Sequence, residues 1–195
     1  GEDVLKLKKP VHMGIIDFST LARRDNCAHE ELRLNRRFAP ELYLDVLRIT
    51  GTPEAPRVGG EGPLLESAVH MRQFDPDGQL DVQIARGLLD DADIRDVAET
   101  IARFQLDAPR AEPADDWGRF EVVMAPIREN FVRIREAARG WPDAEARAGA
   151  ATLERRLEAL EVRSEAWGQA LAPRIEARRA AGFVREGHGD LHLGN

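Results

Sequence analysis

Apolar and polar positions alternate with period two over residues 4 to 8, Val-Leu-Lys-Leu-Lys, which predicts a strand closed by the turn former Pro10. In such a strand Leu5 and Leu7 pack on one face, while Val4 and Lys6 share the other with Lys8. Ile15-Ile16-Asp17-Phe18-Ser19-Thr20 precedes a helical run from about Leu21 to Phe38, with Asp17 or Ser19 as the expected cap. Leu42 to Thr50 reads as another strand, the Gly- and Pro-rich span from Gly51 to Gly62 as a hairpin loop, and Leu65 to Met71 as the return strand. Gly59-Gly60-Glu61-Gly62 does not match G-x-G-x-x-G and no helix follows it directly, so a turn is expected there.

From Leu80 the period changes. Ile84, Leu88, Ile94, Val97, Ile101 and Phe104 recur at helical spacing, and Asp90-Asp91-Ala92-Asp93 marks a break and a new N-cap. A helix is expected over about Trp117 to Ala138 and a third helical region after Pro142. There Leu153, Leu157, Leu160, Trp167 and Leu171 step by threes and fours as an apolar seam, interrupted at Ser164, that is expected to pack in the core. Pro173 is expected to kink or end that helix. Strands first and helices afterwards predict an α+β fold, with a β-rich lobe over residues 1–72 and a helical lobe over 73–195.

Composition narrows the function classes. The length of 195 residues suits one domain or two small lobes. A net charge of −7 and a pI near 5.3 argue against a nucleic-acid partner, because such binders need a basic face to displace counterions, and an acidic surface would suit a cationic substrate. No stretch approaches the apolar length of a membrane span and no basic-then-apolar leader opens the chain. The single cysteine, Cys27, excludes an internal disulfide and fits a reducing compartment. A cytoplasmic protein without a membrane partner is expected.

The candidate chemistry lies at the end of the chain, in His188-Gly189-Asp190-Leu191-His192-Leu193-Gly194-Asn195. Every fixed position of the kinase catalytic loop H-x-D-L-x-x-x-N is matched, by His188, Asp190, Leu191 and Asn195. The spacing serves two tasks at once: an aspartate orients the proton of an attacking hydroxyl, and an amide oxygen five residues on holds a metal against nucleotide phosphates. Asp190-Leu191-His192 also looks like the D-x-H opening of calcineurin-like metallophosphoesterases. In that family the motif follows a buried apolar strand, whereas a basic stretch, Arg178-Arg179-Ala180-Ala181-Gly182, comes before it here.

In the form HGDLHLGN the loop resembles that of the aminoglycoside phosphotransferase and choline kinase group, small-molecule kinases on the protein-kinase fold. The runs LKLKKPV, IIDFSTL and LNRRFAPELYLDV resemble a bacterial subgroup of that family whose members are often fused to a P-loop ATP-binding domain. The resemblance implies an ATP-dependent phosphotransferase that uses Mg2+ and acts on a small-molecule hydroxyl. Asp190 would be the catalytic base, Asn195 a magnesium ligand and His188 a structural support of the loop. Lys6 would contact the phosphates, with Lys8 as the alternative, and Glu31 would pair with it, with Glu30 as the alternative. The connector near Met71 to Phe74 would bind the adenine edge through its backbone, with Val69 and Met71 as pocket walls. Asp17-Phe18 looks like a DFG aspartate but stands on the wrong side of the loop. No glycine-rich hairpin precedes Lys6 and no second metal aspartate follows Asn195, so the chain reads as a piece of a longer protein that is inactive alone. A non-catalytic module that regulates a fused ATP-binding partner is the other class.

Overall fold

The computed structural model describes residues 2–14, 16–140 and 149–194. Helix makes up about half of the chain and the principal sheet is antiparallel. Two units divide it, Gly1–Asp107 with His188–Asn195, and Ala108–Gly187. This division differs from the expected one at residues 72 and 73, because the segments after the sheet up to Asp107, and the terminal loop, group with the sheet.

In the first unit a four-stranded sheet runs in the order β1, β6, β4, β5, with β1 at Asp3–Leu7, β4 at Tyr43–Thr52, β5 at Ala55–Val58 and β6 at Leu64–Arg72. The strand predicted from alternation is present, but Leu5 and Leu7 are exposed instead of packed. The reason is its place: β1 is an edge strand that pairs only with β6, and helix α1, Leu21–Asn35, lies on the opposite face. Register puts Lys6 beside Val69 and Val4 beside Met71 on the face that packs against Ala28 of α1. Tyr43 and Val46 of β4 complete this core.

The expected glycine-rich loop contains β5, which forms a tight hairpin with β4. Gly51 makes it possible, with φ +104°, and a Cβ there would stand 2.6 Å from the Ala55 carbonyl oxygen. Pro56 is tolerated because β5 is the other edge of the sheet. A short hairpin not foreseen from the sequence, β2 at His12–Met13 and β3 at Ile16–Asp17, leads into α1. The cap of that helix is Thr20, whose hydroxyl accepts the Arg23 N–H at 3.3 Å. Asp17 and Ser19, the expected caps, instead bond to each other one turn earlier, the aspartate accepting both the N–H and the hydroxyl of Ser19. The helix also ends sooner than expected, at Asn35, whose side-chain amide donates to the Glu31 carbonyl at 2.9 Å.

Polar groups under α1 are paired. Arg24, buried, donates to Glu66 of β6 at 2.7 Å and to the Phe18 carbonyl at 2.9 Å. The Ser67 hydroxyl donates to Asp25 at 2.5 Å. Beyond the sheet come a 3-10 turn, Pro76–Gly78, and helices α2, Leu80–Ala85, and α3, Asp91–Asp107. The predicted cap at Asp90 is reciprocal: Asp90 accepts from the N–H groups of Ala92 and Asp93, and Asp93 accepts from that of Asp90. These backbone donors hold the Asp90 carboxyl below its ordinary range. Phe104 of α3 stacks on Phe38, just past α1, with ring centroids 3.7 Å apart.

The second unit is a helical hairpin of α4, Phe120–Arg139, and α5, Ala150–Ala180. The expected seam does not form the contact: Leu157 is buried, but Leu160, Trp167 and Leu171 are exposed. The packed stripe runs instead through Leu153, Leu157, Ser164 and Gly168, where the missing side chain of Gly168 lets Met124 approach, its sulfur 2.7 Å from where a Cβ would stand. A large-residue seam is easy to see in a sequence, whereas a close-packed one is made of small residues. Pro173 does not end the helix, which continues to Ala180. Arg128 bridges to Glu121 and Glu165, and Arg135 to Glu154 and Glu161, so both guanidinium groups are pushed to a higher pKa by carboxylate hydrogen bonds. Glu176 caps α4 by accepting the Phe120 N–H at 2.9 Å, and Arg179 donates to the carbonyls of Pro113, Asp115 and Trp117.

Candidate active site

The edge strand and α1 bring three charged side chains together. Lys6 Nζ lies 2.8 Å from Glu31 Oε1, and Lys8 Nζ pairs with the other oxygen, Oε2. Register explains the convergence: Lys6 stands on the α1 face of β1, and Glu31 follows Ala28 by three residues, on the helix stripe that meets the sheet. Glu30, the alternative partner, points elsewhere and bridges to Arg33 at 2.7 Å on the exposed flank. Both candidate lysines are therefore in place on one carboxylate, but they are not equivalent. The Lys6 side chain is 50% exposed, that of Lys8 17% and that of Glu31 10%. Lys8 is also 5.5 Å from the centroid of the Phe18 ring.

Burial pushes the Glu31 carboxyl up, but hydrogen bonds from Lys6 and Lys8 and their charges outweigh it and hold the group below the ordinary carboxylate range. Tyr43 moves the other way, raised by burial and by the nearby Glu31 charge against the opposing effect of Lys8. Two ammonium groups on one carboxylate leave one positive charge in excess within the triad. Such a cluster can accept an anion without building a new charge.

The terminal loop belongs to the same unit and is anchored by its histidines. The His188 ring meets Phe38 edge-on, with centroids 5.5 Å apart and planes at 74°, and its Nδ1 accepts the Asp190 N–H at 3.3 Å. The same turn recurs four residues on, where His192 Nδ1 accepts the Gly194 N–H at 3.1 Å. Gly189, between His188 and Asp190, has φ +82°, a conformation that disfavours other residues. The Asp190 side chain is 86% exposed, and His192 Nε2 is 3.9 Å from its carboxylate. Asn195, the expected magnesium ligand, lies outside the described residues.

Two further positioning groups had no signal in the sequence. Gln79 donates its side-chain amide to the Gly194 carbonyl at 3.2 Å, and the Asp81 N–H donates to the Leu193 carbonyl at 3.2 Å, so the start of α2 holds the end of the loop. Neither residue type at that position distinguishes a loop anchor from an ordinary helix start.

Val69 and Met71 require correction as pocket walls. They are 0% and 7% exposed, inside the core beneath α1, because the face of β6 they share with Lys6 is the face the helix covers. A shallow groove of about 600 Å³ lies elsewhere, beside the start of α1, lined by Asp17, Phe18, Ala22, Arg23, Asn26 and Cys27. Among the described residues no three His, Cys, Asp or Glu side chains gather as a metal cluster, and no helix is long and apolar enough to cross a membrane.

No family model matches the chain, and no solved structure matches it. It is similar to the uncharacterized proteins Rv2004c of Mycobacterium tuberculosis and Mb2027c of Mycobacterium bovis, with 29% identity over 138 residues in each case. The alignment takes in 71% of this chain and 26% of each relative. The chain thus spans about a quarter of the length of the curated relatives it matches.

Proposed function

We propose that the chain carries the phosphate-binding and hydroxyl-activating residues of an ATP-dependent phosphotransferase with a protein-kinase-like fold, acting on a small-molecule alcohol. The observation that supports this reading most is the triad on the sheet face, Lys6 and Lys8 on Glu31 with one positive charge in excess. A strand lysine held by a helix glutamate is the arrangement that presents a cation to nucleotide phosphates, and phosphoryl transfer depends on positioning and charge more than on covalent chemistry. The second support is the loop, where an exposed carboxylate, Asp190, is set by the turn that His188 closes.

In this mechanism Lys6 binds and orients the phosphates. Asp190 accepts the hydrogen bond of the acceptor hydroxyl, turning its lone pair toward the phosphorus and receiving the proton as the new O–P bond forms and the bond from the γ-phosphorus to the bridging oxygen breaks, releasing ADP. A bound Mg2+ would supply neutralisation of the phosphate oxygens, and by the resemblance the side-chain amide oxygen of Asn195 would be the ligand this loop offers it. His188 acts through the backbone by fixing the Asp190 turn.

The test is paired, with Mg-ATP affinity read by calorimetry and transfer read from labelled ATP to a panel of amino sugars and alcohols. Asp190→Asn is expected to lower transfer by about 10²- to 10⁴-fold while affinity changes little. Lys6→Ala is expected to weaken both. Transfer at the unmutated rate in Asp190→Asn would remove that residue from the mechanism, and nucleotide binding without transfer to any acceptor would favour a regulatory module.

A further inference from the structure

The two borders of the helical hairpin are unlike. At about 100° per residue, Glu154, Glu158, Glu161, Glu165 and Glu176 all fall on one flank of the stripe that α5 buries through Leu157 and Gly168. On α4, Glu121, Arg128 and Arg135 share one flank of the buried Met124. Bridges from Arg128 to Glu165 and from Arg135 to Glu154 and Glu161 join these flanks and close that border of the hairpin. The other border is apolar and open. There α4 presents Val123, Ile127 and Ile134, and α5 presents Leu160, Trp167 and Leu171, all of them exposed. Met124 beside Gly168 and Arg135 beside Glu161 set the antiparallel register, so the two rows run side by side for roughly 17 Å, three turns of helix.

Charge marks this border as clearly as hydropathy does. The same helical period places Arg156, Arg163, Arg174 and Arg178 along its outer edge on α5, while among the described residues the ion pairs of that helix all lie on the opposite flank. Arg163 lies over the Trp167 ring at 5.3 Å from its centroid and Arg178 over that of Phe183 at 4.7 Å. On α4 the polar residue at the edge is Asn130, and no acid falls on that flank. Residues 108–187 hold 14 arginines and 14 acidic residues, so the net charge of −7 lies outside this unit and does not oppose an acidic partner here. We propose that the open border is a docking groove for one amphipathic helix whose apolar stripe is flanked by Asp or Glu. Two parallel apolar rows with a trough between them receive the ridge of a third helix, and the arginine edge answers its acids. A second copy of the hairpin would bring the same arginines to this face and no acid to meet them.

The probe is a designed peptide of about 18 residues with leucines at helical spacing and glutamates beside them, set against the same peptide with lysines in place of the glutamates. In a Trp117→Phe, Trp141→Phe chain Trp167 is the sole indole. The glutamate peptide is expected to shift its emission to the blue, and the lysine peptide to bind on the order of tenfold more weakly at low salt. Leu160→Gln and Leu171→Gln change exposed side chains, and each is expected to weaken the glutamate peptide about tenfold in calorimetry. Val162→Gln, exposed on the far side of α5, should leave its binding unchanged. Arg163→Glu combined with Arg174→Glu is expected to reverse the preference, so that the lysine peptide binds better. Equal binding of the two peptides, binding of neither, or a preference that survives the arginine exchange overturns the proposal. Sedimentation and vesicle flotation test the rival occupants. A dimer that Leu171→Gln dissolves would assign the face to a second copy, attachment to phosphatidylserine vesicles that Leu171→Gln abolishes would assign it to a lipid surface, and either result overturns the helix.

Discussion

The contact of α1 with the sheet and the contact of α4 with α5 are both helix interfaces bordered by arginine–carboxylate pairs, yet their pairs are of different kinds. Under α1 the charges are withdrawn from solvent: Arg24 and Glu66 have side chains 10% and 17% exposed, and they close a core made of Ala28, Val69 and Met71. Along the hairpin Arg128 and its two glutamates lie at the surface, around a seam whose buried members are Leu157, Gly168 and Met124. Similar distances, 2.7 Å for Arg24–Glu66 and 2.6 Å for Arg128–Glu165, thus hide unequal consequences. Desolvation decides what a pair is worth when one member is removed.

Removal of Arg24 should give the largest effect. Arg24→Ala leaves Glu66 with no counter-charge and the Phe18 carbonyl with one donor fewer, and is expected to cost about 3–5 kcal/mol in urea denaturation. Val69→Ala, which opens a cavity in the same core without touching a charge, should cost about 2 kcal/mol. Glu31→Gln should come next, and pH sharpens it. The folded-state pKa of Glu31 is depressed, so its stabilisation is fully present above the ordinary carboxylate range and is lost as pH falls through the folded value. Unfolding curves of the unmutated chain and the variant should therefore differ at neutral pH and converge on acidification. The smallest change is expected from Arg128→Ala, detectable in a thermal melt at low salt and erased at high salt, because its bridges are accessible to counterions. A large, salt-insensitive loss there would break the contrast between the two interfaces.

What could be read from the sequence follows the same division. Strand alternation around Lys6, the Asp90 cap and the helical period after Leu80 are local signals, set by neighbouring residues, and the elements stand where those signals put them. Lys6 and Glu31 meet as the resemblance implied; the strand and helix periods fix a face for each but do not by themselves pair them. Burial is not local. Alternation in β1 says that Leu5 and Leu7 share a face but not that this face lacks a covering layer, and the same ignorance placed Val69 and Met71 against a pocket instead of under α1. On α5 the eye follows Leu160, Trp167 and Leu171, while packing follows Ser164 and Gly168, whose smallness sets how closely α4 can approach. Lys8 was placed by the strand period on the face of Lys6, but that both lysines share Glu31, and that Gln79 and Asp81 anchor the loop, depends on contacts between segments distant in the chain.

The aromatic contact at the end of α1 has a bearing on how the gene can change. Phe38 meets His188 just beyond the C-terminus of the helix that carries Glu31 one turn before its end, so one rod spaces the lysine clamp from the Asp190 turn. Inserting a single residue between Glu31 and Asn35 would rotate the remainder of that rod by about 100° and advance it by about 1.5 Å. Either the carboxylate would turn from the lysines or Phe38 would turn from the histidine. Drift in length is therefore forbidden in this one turn of helix, and deep sequencing of an insertion library should find it the least permissive stretch outside the terminal loop.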